Sequence, residues 1–433
     1  MSKAIVARVT ELVEISGANK IQVAKVLGEN CIVSKDVKVG DVGVLFPADT
    51  QLSVEYCHEN NLFRHGTENK NPEKTGFFES SRRVRCQPFL GVRSSAYFAG
   101  LETLSYCGDE YHQLVAMPVG TAFDLVGEHL ICNKYISQAT KDAIAKAGKN
   151  GVKMAKKDFA PTFAKHVDSA QFKHNVSMIP KGALIHFHAK VHGTSHRSGL
   201  HQVALALPKW KQFVNKYLPI FPDKEWQHVV GTRNVVLTPG KEGFHGSEQF
   251  RFDVAETLKP FMEKGMTIYG EIAGYANGKP IMQVHNAKDT KDKAFIKKFG
   301  EQIVYRYNCA EHEYRFHVYR ITQLDCNGVN VDYTEAQLEQ WCADRGFNGP
   351  VSVYTPIVYN GDPDGLMNVV DLFTENSVHL GGDYIDPSHP GEGIILRIDT
   401  GKANPYFLKS KAHNFRVMEG LAEGLDIGDM EAA

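Results

Sequence analysis

Apolar and polar positions alternate in short runs along the first third of the chain. Ile5–Val9, Ile21–Val26 and Cys31–Val33 are β-rich, and Ser16–Asn19, Gly28–Asn30 and Val39–Asp41 separate them with turn residues. Arg82–Cys86 and Val115–Met117 continue the pattern. Strands at this spacing predict a small β-barrel over residues 1–133, of the OB type that binds nucleic acid. Arg82, Arg83, Arg85 and Arg93 cluster near its late strands, either as a nucleic-acid contact or as a solvated basic turn.

The pattern changes at residue 134. Residues 134–180 hold nine Lys, no Arg, three Asp and no Glu, and Ala139–Ala147 reads as helical before Gly148, Gly151 and Pro161 interrupt. This stretch is expected to be a basic linker, one charged suitably for phosphate. From Ala183 onward the strands lengthen, and helices are expected at about 202–217, 246–264 and 334–346. Residues 181–433 therefore read as a second domain, an α+β one of antiparallel sheets and helices.

Composition narrows the class. The 433 residues carry 49 Lys+Arg against 50 Asp+Glu, a net charge of −1 that argues against a coat of bulk positive charge but leaves room for a local basic groove. No apolar run approaches the roughly 18 residues of a membrane span, and the N-terminus lacks an apolar signal core, so a cytoplasmic protein is expected. The eight cysteines form no Cys-x-x-Cys pair, which leaves them reduced and structural rather than zinc-binding.

The chemistry concentrates on a series of strands. Ala183–Lys190 alternates so that His186, His188 and Lys190 share a face, and Val191-His192-Gly193-Thr194 follows as a turn. Met266–Ile272 places Tyr269 and Glu271 on one face, and Tyr314–Ile321 is a third strand. Glu392 opens a fourth at Gly393–Ile398, and Phe407–Lys411 is a fifth with Lys409 and Lys411 pointing the same way. Two ammoniums on one face repel unless an anion lies between them, whether a triphosphate or an acidic neighbour. Each motif alone is weak, since Lys25-Val26-Leu27-Gly28 and Lys209-Trp210-Lys211 match two of the spacings equally well.

In this order the set Lys190–Gly193, Arg233-Asn234, Tyr269–Glu271, Phe316–Ile321, Glu392-Gly393 and Lys409–Lys411 resembles the covalent nucleotidyltransferase superfamily of polynucleotide ligases and capping enzymes. Lys190-Val191-His192-Gly193-Thr194 is similar to the RNA ligase branch. Val37–Pro47, Arg82–Arg85 and Leu90–Ser95 resemble the N-terminal OB domain of one group, which joins it to a C-terminal adenylyltransferase domain, ATP-grasp-like in outline, and seals nicked duplexes. Only 22 residues follow Lys411, and they are acidic (Glu419, Glu423, Asp426, Asp429, Glu431), leaving no room for the further OB domain of DNA ligases and capping enzymes.

The resemblance implies an ATP-dependent RNA ligase whose Lys190 becomes lysyl-AMP. It implies Phe316 stacking on adenine, Glu271 on ribose or a metal-bound water, and Glu392 on Mg²⁺ or Mn²⁺ or its water shell. Lys409 and Lys411 would neutralise phosphate, Gly193 would border the nucleotide, and Arg233 would contact AMP or the 5′-phosphate. The partners expected are RNA ends at nicks in duplex RNA or an RNA–DNA hybrid, acted on by a monomer. Three positions depart from the pattern: Ser195 where Asn is common, Arg320 where Asp is common, and His192 where Asp is common. His192 could donate to phosphate, and His186 and His188 read as structural. The competing readings are a DNA-joining or GTP-using capping relative, and a non-catalytic OB-fold RNA-binding protein.

Overall fold

Strand β1 (Ala4–Glu14) is long enough to serve two neighbours because its register shifts between Val9 and Glu11. Its first half pairs antiparallel with β4 (Val42–Pro47) and its second half with β2 (Ile21–Val26). A hairpin joins β2 to β3 (Glu29–Ser34), and β5 (Ala96–Gly100) closes the ring, parallel to β3 and antiparallel to β4. The circuit β1-β2-β3-β5-β4-β1 is a closed five-stranded barrel of the expected OB type. Ala7, Val9, Leu45 and Phe98 fill it, while Val6, Val44 and Phe46 on the alternate positions pack against the 50–132 segment. Both faces of β1 are thus buried, which explains the unbroken apolar run Ala4–Ala7.

This computed structural model describes residues 3–421 apart from 49, 90–91, 137–158, 168, 241, 244–245, 380 and 403. The expected helix at Ala139–Ala147 and the acidic Glu423, Asp426, Asp429 and Glu431 lie outside the described residues. Two expected strands are corrected. Arg82–Cys86 is irregular, with Arg82 at φ 52°, and Val115–Met117 is the end of the helix Glu110–Val115 and a turn. Their apolar residues anchor an excursion to the barrel wall, as Val84 and Leu114 show in its core. Residues 159–180, basic in composition, are built into the second unit: Ala170–Gln171 runs parallel to the last strand, and Phe172, Val176 and Ile179 are buried beneath it.

The second unit faces two antiparallel sheets towards each other. In one, β6 (Leu184–Ala189) lies between β11 (Ser352–Val358) and β12 (Gly393–Asp399), with β13 (Tyr406–Lys411) beyond. In the other, β7 (Thr194–Ala204) lies between β8 (Lys224–Gly231) and β9 (Met266–Ala276), followed by β10 (Tyr314–Leu324). Ile185, Phe187, Leu396 and Leu408 pack the first sheet against the helix α4 (Pro363–His379). Ile268, Ile272, Phe316 and Val318 belong to the core of the second, with the helices α2 (Gln249–Leu258), α3 (Glu335–Arg345) and α5 (His413–Leu421). The expected helix at 202–217 is shorter, α1 (Lys209–Tyr217), because β7 runs on to Ala204. Among the described residues no helix is long and apolar enough to cross a membrane.

Candidate functional site

Lys190 directly follows β6, and its amide donates to the Gly393 carbonyl at 3.0 Å. Glu392 stands just before β12, and the Ala412 amide donates to its carbonyl at 3.0 Å. Backbone pairing therefore holds Glu392 between the lysines of two flanking strands. Its carboxylate lies 2.9 Å from Lys190 Nζ, 3.0 Å from Lys411 Nζ and 3.3 Å from His192 Nδ1. Glu392 is 1% exposed. Burial would raise its carboxyl, but Lys190, Lys411 and His192 outweigh burial and hold it well below the usual carboxylate range. Lys411 also meets Glu419 at 2.8 Å, so the ammonium excess foreseen for this face is offset by protein carboxylates.

Gly193 is required by a close approach. A Cβ there would sit 2.5 Å from the Ile272 carbonyl and 2.8 Å from Glu271 Cγ, so the turn after Lys190 can press against β9 only as glycine. That contact brings Lys190 and Glu271 to one cavity of about 110 Å³, which Ser195, Arg233, His317 and Tyr319 also line. Ser195 donates to Glu271 at 3.4 Å, which gives the departure from Asn a local role. Lys409 is two residues from Lys411, in register with Ile395 of β12. A larger cleft of about 860 Å³ separates the barrel from the second unit and includes Lys411 and Arg416, but its charges are largely paired, as Arg416 with Glu29 at 2.9 Å.

Phe316 lies elsewhere. It pairs with Ile272, one position from the Glu271–His317 pair, and is buried in the opposite, apolar face, its ring against Gly270 and His196. A register shift between Tyr269 and Gly270 leaves Tyr319 as the extra residue of β10, and the bulge turns both Tyr319 and Arg320 to the cavity. The aromatic ring that β10 presents to the cavity is therefore Tyr319 and not Phe316, and its hydroxyl meets His166 Nδ1 at 3.1 Å. Arg320 has its charge partner in Asp332, at 2.8 Å, and lies over the Tyr269 ring. His192 is packed edge-on between Tyr305 and Phe415 behind Glu392, a support for that carboxylate rather than a cavity-facing phosphate donor. His188 meets Glu335 at 2.8 Å and His186 meets Asp399 at 3.4 Å.

Two cavity residues escape motif reading. His317 is 5% exposed, and neither ring nitrogen has a hydrogen-bond partner among the described residues, although an unpaired buried polar group is costly. Such an imidazole aimed into a cavity is a ligand contact in waiting. His166 enters from a segment with no β-pattern of its own. Alternation across β9 and β10 was the signal available for His317, since it sits opposite Glu271.

The arginines of the first unit are dispersed over the excursion. Arg82 donates from Nε to the Leu52 carbonyl at 3.0 Å, Arg83 covers the Tyr135 ring at 4.7 Å, and burial followed by Arg83 lowers the Arg85 guanidinium. Arg93 is on a short strand, Val92–Ser94.

No protein-family model matches the sequence, and no curated protein does. Solved structures do. A variant of the Naegleria gruberi RNA ligase without ligand is 16% identical, with a TM-score of 0.55 over 95% of this chain and 96% of that one. Another variant of that ligase with ATP and Mn gives the same identity and TM-score over 95% and 98%, and the ligase with PPi does so over 96% and 98%. The chain has the RNA ligase fold. That fold spans the barrel as well as the two facing sheets, because the aligned region covers nearly the full length of both proteins.

The buried imidazoles set a pH dependence. Burial, then Arg315, lowers His317 to about 4, and burial lowers His201 to about 4. A depressed histidine adds stability that is complete above its unfolded value of about 6.5 and is lost as pH falls towards the folded value. The thermal midpoint is expected to fall on acidification from about pH 7 to about pH 5, and less steeply in His317→Phe. A midpoint constant over that range, read by circular dichroism, contradicts this reading.

Proposed function

We propose that this protein is an ATP-dependent RNA ligase that works through a covalent AMP on Lys190. The observation that carries the reading is the joint placement of Lys190, Glu271 and Arg233 at one cavity, with Glu392 and Lys411 directly behind the nucleophile. Similarity in fold to RNA ligases whose structures include ATP, AMP and PPi supports it.

Lys190 Nζ attacks the α-phosphorus of ATP: the N–P bond forms, the P–O bond to pyrophosphate breaks, and the amine loses a proton. An RNA 5′-phosphate oxygen then attacks the adenylate phosphorus, forming a pyrophosphate bridge and returning the amine. A 3′-hydroxyl finally attacks the 5′-phosphorus, forming the phosphodiester and expelling AMP. Glu392 fixes Lys190 in place but also favours its charged form, so the charge on Glu392 must be shared elsewhere before attack. Lys411 and His192 supply part of that sharing. Arg233 and Lys409 stabilise phosphate charge, Tyr319 provides the flat face for adenine, and His317 supplies a hydrogen bond to the nucleotide.

Among the described residues no cluster of three or more His, Cys, Asp or Glu could hold a metal. The donors present fit a Mg²⁺ or Mn²⁺ that takes most of its ligands from phosphate and water, held by Glu271 and, through Glu392, beside the nucleophile. When bound, such an ion neutralises the triphosphate and favours an uncharged lysine.

The domains in this reading are an OB unit at 1–133 for nucleic acid, a connecting segment that opens at 134, and an adenylyltransferase unit that takes in 159–180 as well as 181–433. Arg82, Arg83, Arg85 and Arg93 are its candidate RNA contacts, at nicks in duplex RNA or an RNA–DNA hybrid, in a cytoplasmic monomer. Sealing assays with RNA or DNA on each side of a nick, supplied with ATP or GTP, test the function. Sealing with ATP at RNA 3′-hydroxyls supports it; use of GTP or sealing of DNA alone contradicts it.

The aromatic assignment has its own test. Phe316→Ala is expected to cost about 3–5 kcal/mol of stability as a core truncation. Tyr319→Leu should retain the fold and weaken ATP binding roughly tenfold, by loss of a stacking face. Calorimetric unfolding and ATP titration separate the two, and the reverse pattern restores Phe316 to the nucleotide.

A further inference from the structure

The hairpin between β7 and β8 carries a helix that no core reaches. Strand β7 leaves the site at Thr194 and ends at Ala204, which at ~3.3 Å per residue carries the hairpin about 33 Å along the strand from Thr194. There the chain turns outward into α1 and returns through Leu218–Phe221 to β8. The neck is closed by the Leu205 amide donating to Asp223, and Asn215 ties the return segment with two hydrogen bonds to Phe221. Among the described residues the hydrophobic cores contain nothing from 205–222.

What the hairpin displays is unusual for a free surface. Trp210, Phe213 and Tyr217 fall on one helical face and are 58%, 66% and 67% exposed. Trp226 on β8 is also exposed. Ammonium groups attend the rings: Lys211 lies 5.5 Å from Trp210 and 5.0 Å from Phe221, Lys216 5.6 Å from Tyr217, and Lys264 5.7 Å from Trp226. Large exposed apolar patches mark binding sites. Protein interfaces enrich aromatics but deplete Lys. Surfaces that hold unpaired nucleic-acid strands need both, rings to stack on bases and cations to meet phosphates. The charge and the ring geometry together favour a polynucleotide.

We propose that this hairpin binds an unpaired stretch of the RNA substrate, at a distance from the joined ends. The inference rests on the ligase reading and deepens it: the preferred substrate carries a single-stranded segment beyond the join, where a fully paired duplex would hide its bases from the rings.

The test uses the full chain, the variant Trp210→Ala/Phe213→Ala/Tyr217→Ala and the variant Lys211→Glu/Lys216→Glu. Because these side chains lie outside every core, labelling with ATP alone is expected to be unchanged in both variants. Affinity for a fluorescent single-stranded RNA of about 20 nucleotides is expected to fall tenfold or more in the aromatic variant, as loss of stacked bases dictates. The lysine variant is expected to show a shallower salt dependence of binding. Unaltered RNA affinity in both variants overturns the proposal, as does a wild-type dimer in sedimentation that the aromatic variant dissolves, which assigns the face to a second copy of the chain. Wild type that fails to label with ATP sinks the ligase reading separately, and the RNA affinities still decide the hairpin.

Discussion

Replacing Glu392 with Ala should cost this protein both its stability and its chemistry. Its carboxylate is the shared counter-ion of Lys190, Lys411 and His192, at 2.9, 3.0 and 3.3 Å. Removing it leaves two ammoniums and an imidazole crowded together, with Lys190 and Lys411 each only 11% exposed. Breaking a buried ion pair from one side costs about 3–5 kcal/mol, or roughly 6–20 °C in the midpoint of a unit of 150–250 residues. The direct loss to labelling with ATP should exceed what unfolding accounts for, because Lys190 is no longer positioned. Glu392→Gln keeps the shape without the charge and separates the two effects: it should recover part of the packing but none of the neutralisation. A thermal midpoint within a degree of wild type for Glu392→Ala contradicts the arrangement described.

The second large effect falls mainly on chemistry. Lys190→Ala removes the proposed nucleophile, so transfer from ATP should fall at least about 10³-fold, as it does when a covalent nucleophile is deleted. The fold should survive with some loss of stability, since Lys411 and His192 still face the buried Glu392 carboxylate once the Lys190 ammonium is gone. Joining of a strand supplied already adenylylated at its 5′-phosphate should continue at a measurable rate, because in the proposed mechanism that step uses Lys409, Arg233 and Glu271 but not the nucleophile. Unfolding scans, ATP labelling and the pre-adenylylated substrate together distinguish this outcome from simple misfolding. Equal loss of both reactions would place Lys190 in phosphate binding rather than covalent transfer.

Much of this was legible in the chain because strand alternation is a short-range rule. Lys190, Glu271, Glu392, Lys409 and Lys411 all stand on or beside strands whose apolar alternation is clear, and the sheets needed only to face one another. What escaped depends on features that do not repeat with period two. A single bulge between Tyr269 and Gly270 brings Arg320 to the cavity beside Tyr319, while Phe316, of the opposite parity to His317, stays in the core. Arg320 finds Asp332 across a hairpin, and His188 finds Glu335 at the start of a helix well over a hundred residues away, so neither pairing has a local signature. Arg82–Cys86 carries strand-like composition but lines an excursion, where Val84 packs inward and pairing is limited to a single antiparallel bridge between Arg83 and Gln51. The OB reading survived that error because β1, β2 and β3 alone fix the hairpins around which the barrel closes.

The net charge of −1 takes its place in the same picture. Positive groups are gathered at Lys190, Lys409, Lys411 and Arg416 and on the α1 hairpin, and Glu392, Glu419 and Glu29 answer Lys190, Lys411 and Arg416 locally. A neutral protein can therefore hold an anionic polymer along a restricted path, and its RNA affinity should decline with added salt.

The central claim is a covalent bond between Lys190 and AMP. Mass analysis of the peptide carrying Lys190, after incubation of the intact protein with ATP and Mg²⁺ in the absence of RNA, tests it most directly. The account predicts one AMP added at Lys190, absent in Lys190→Ala and released by pyrophosphate. AMP found on any other residue, or an unmodified peptide from protein that still joins RNA with ATP, contradicts it.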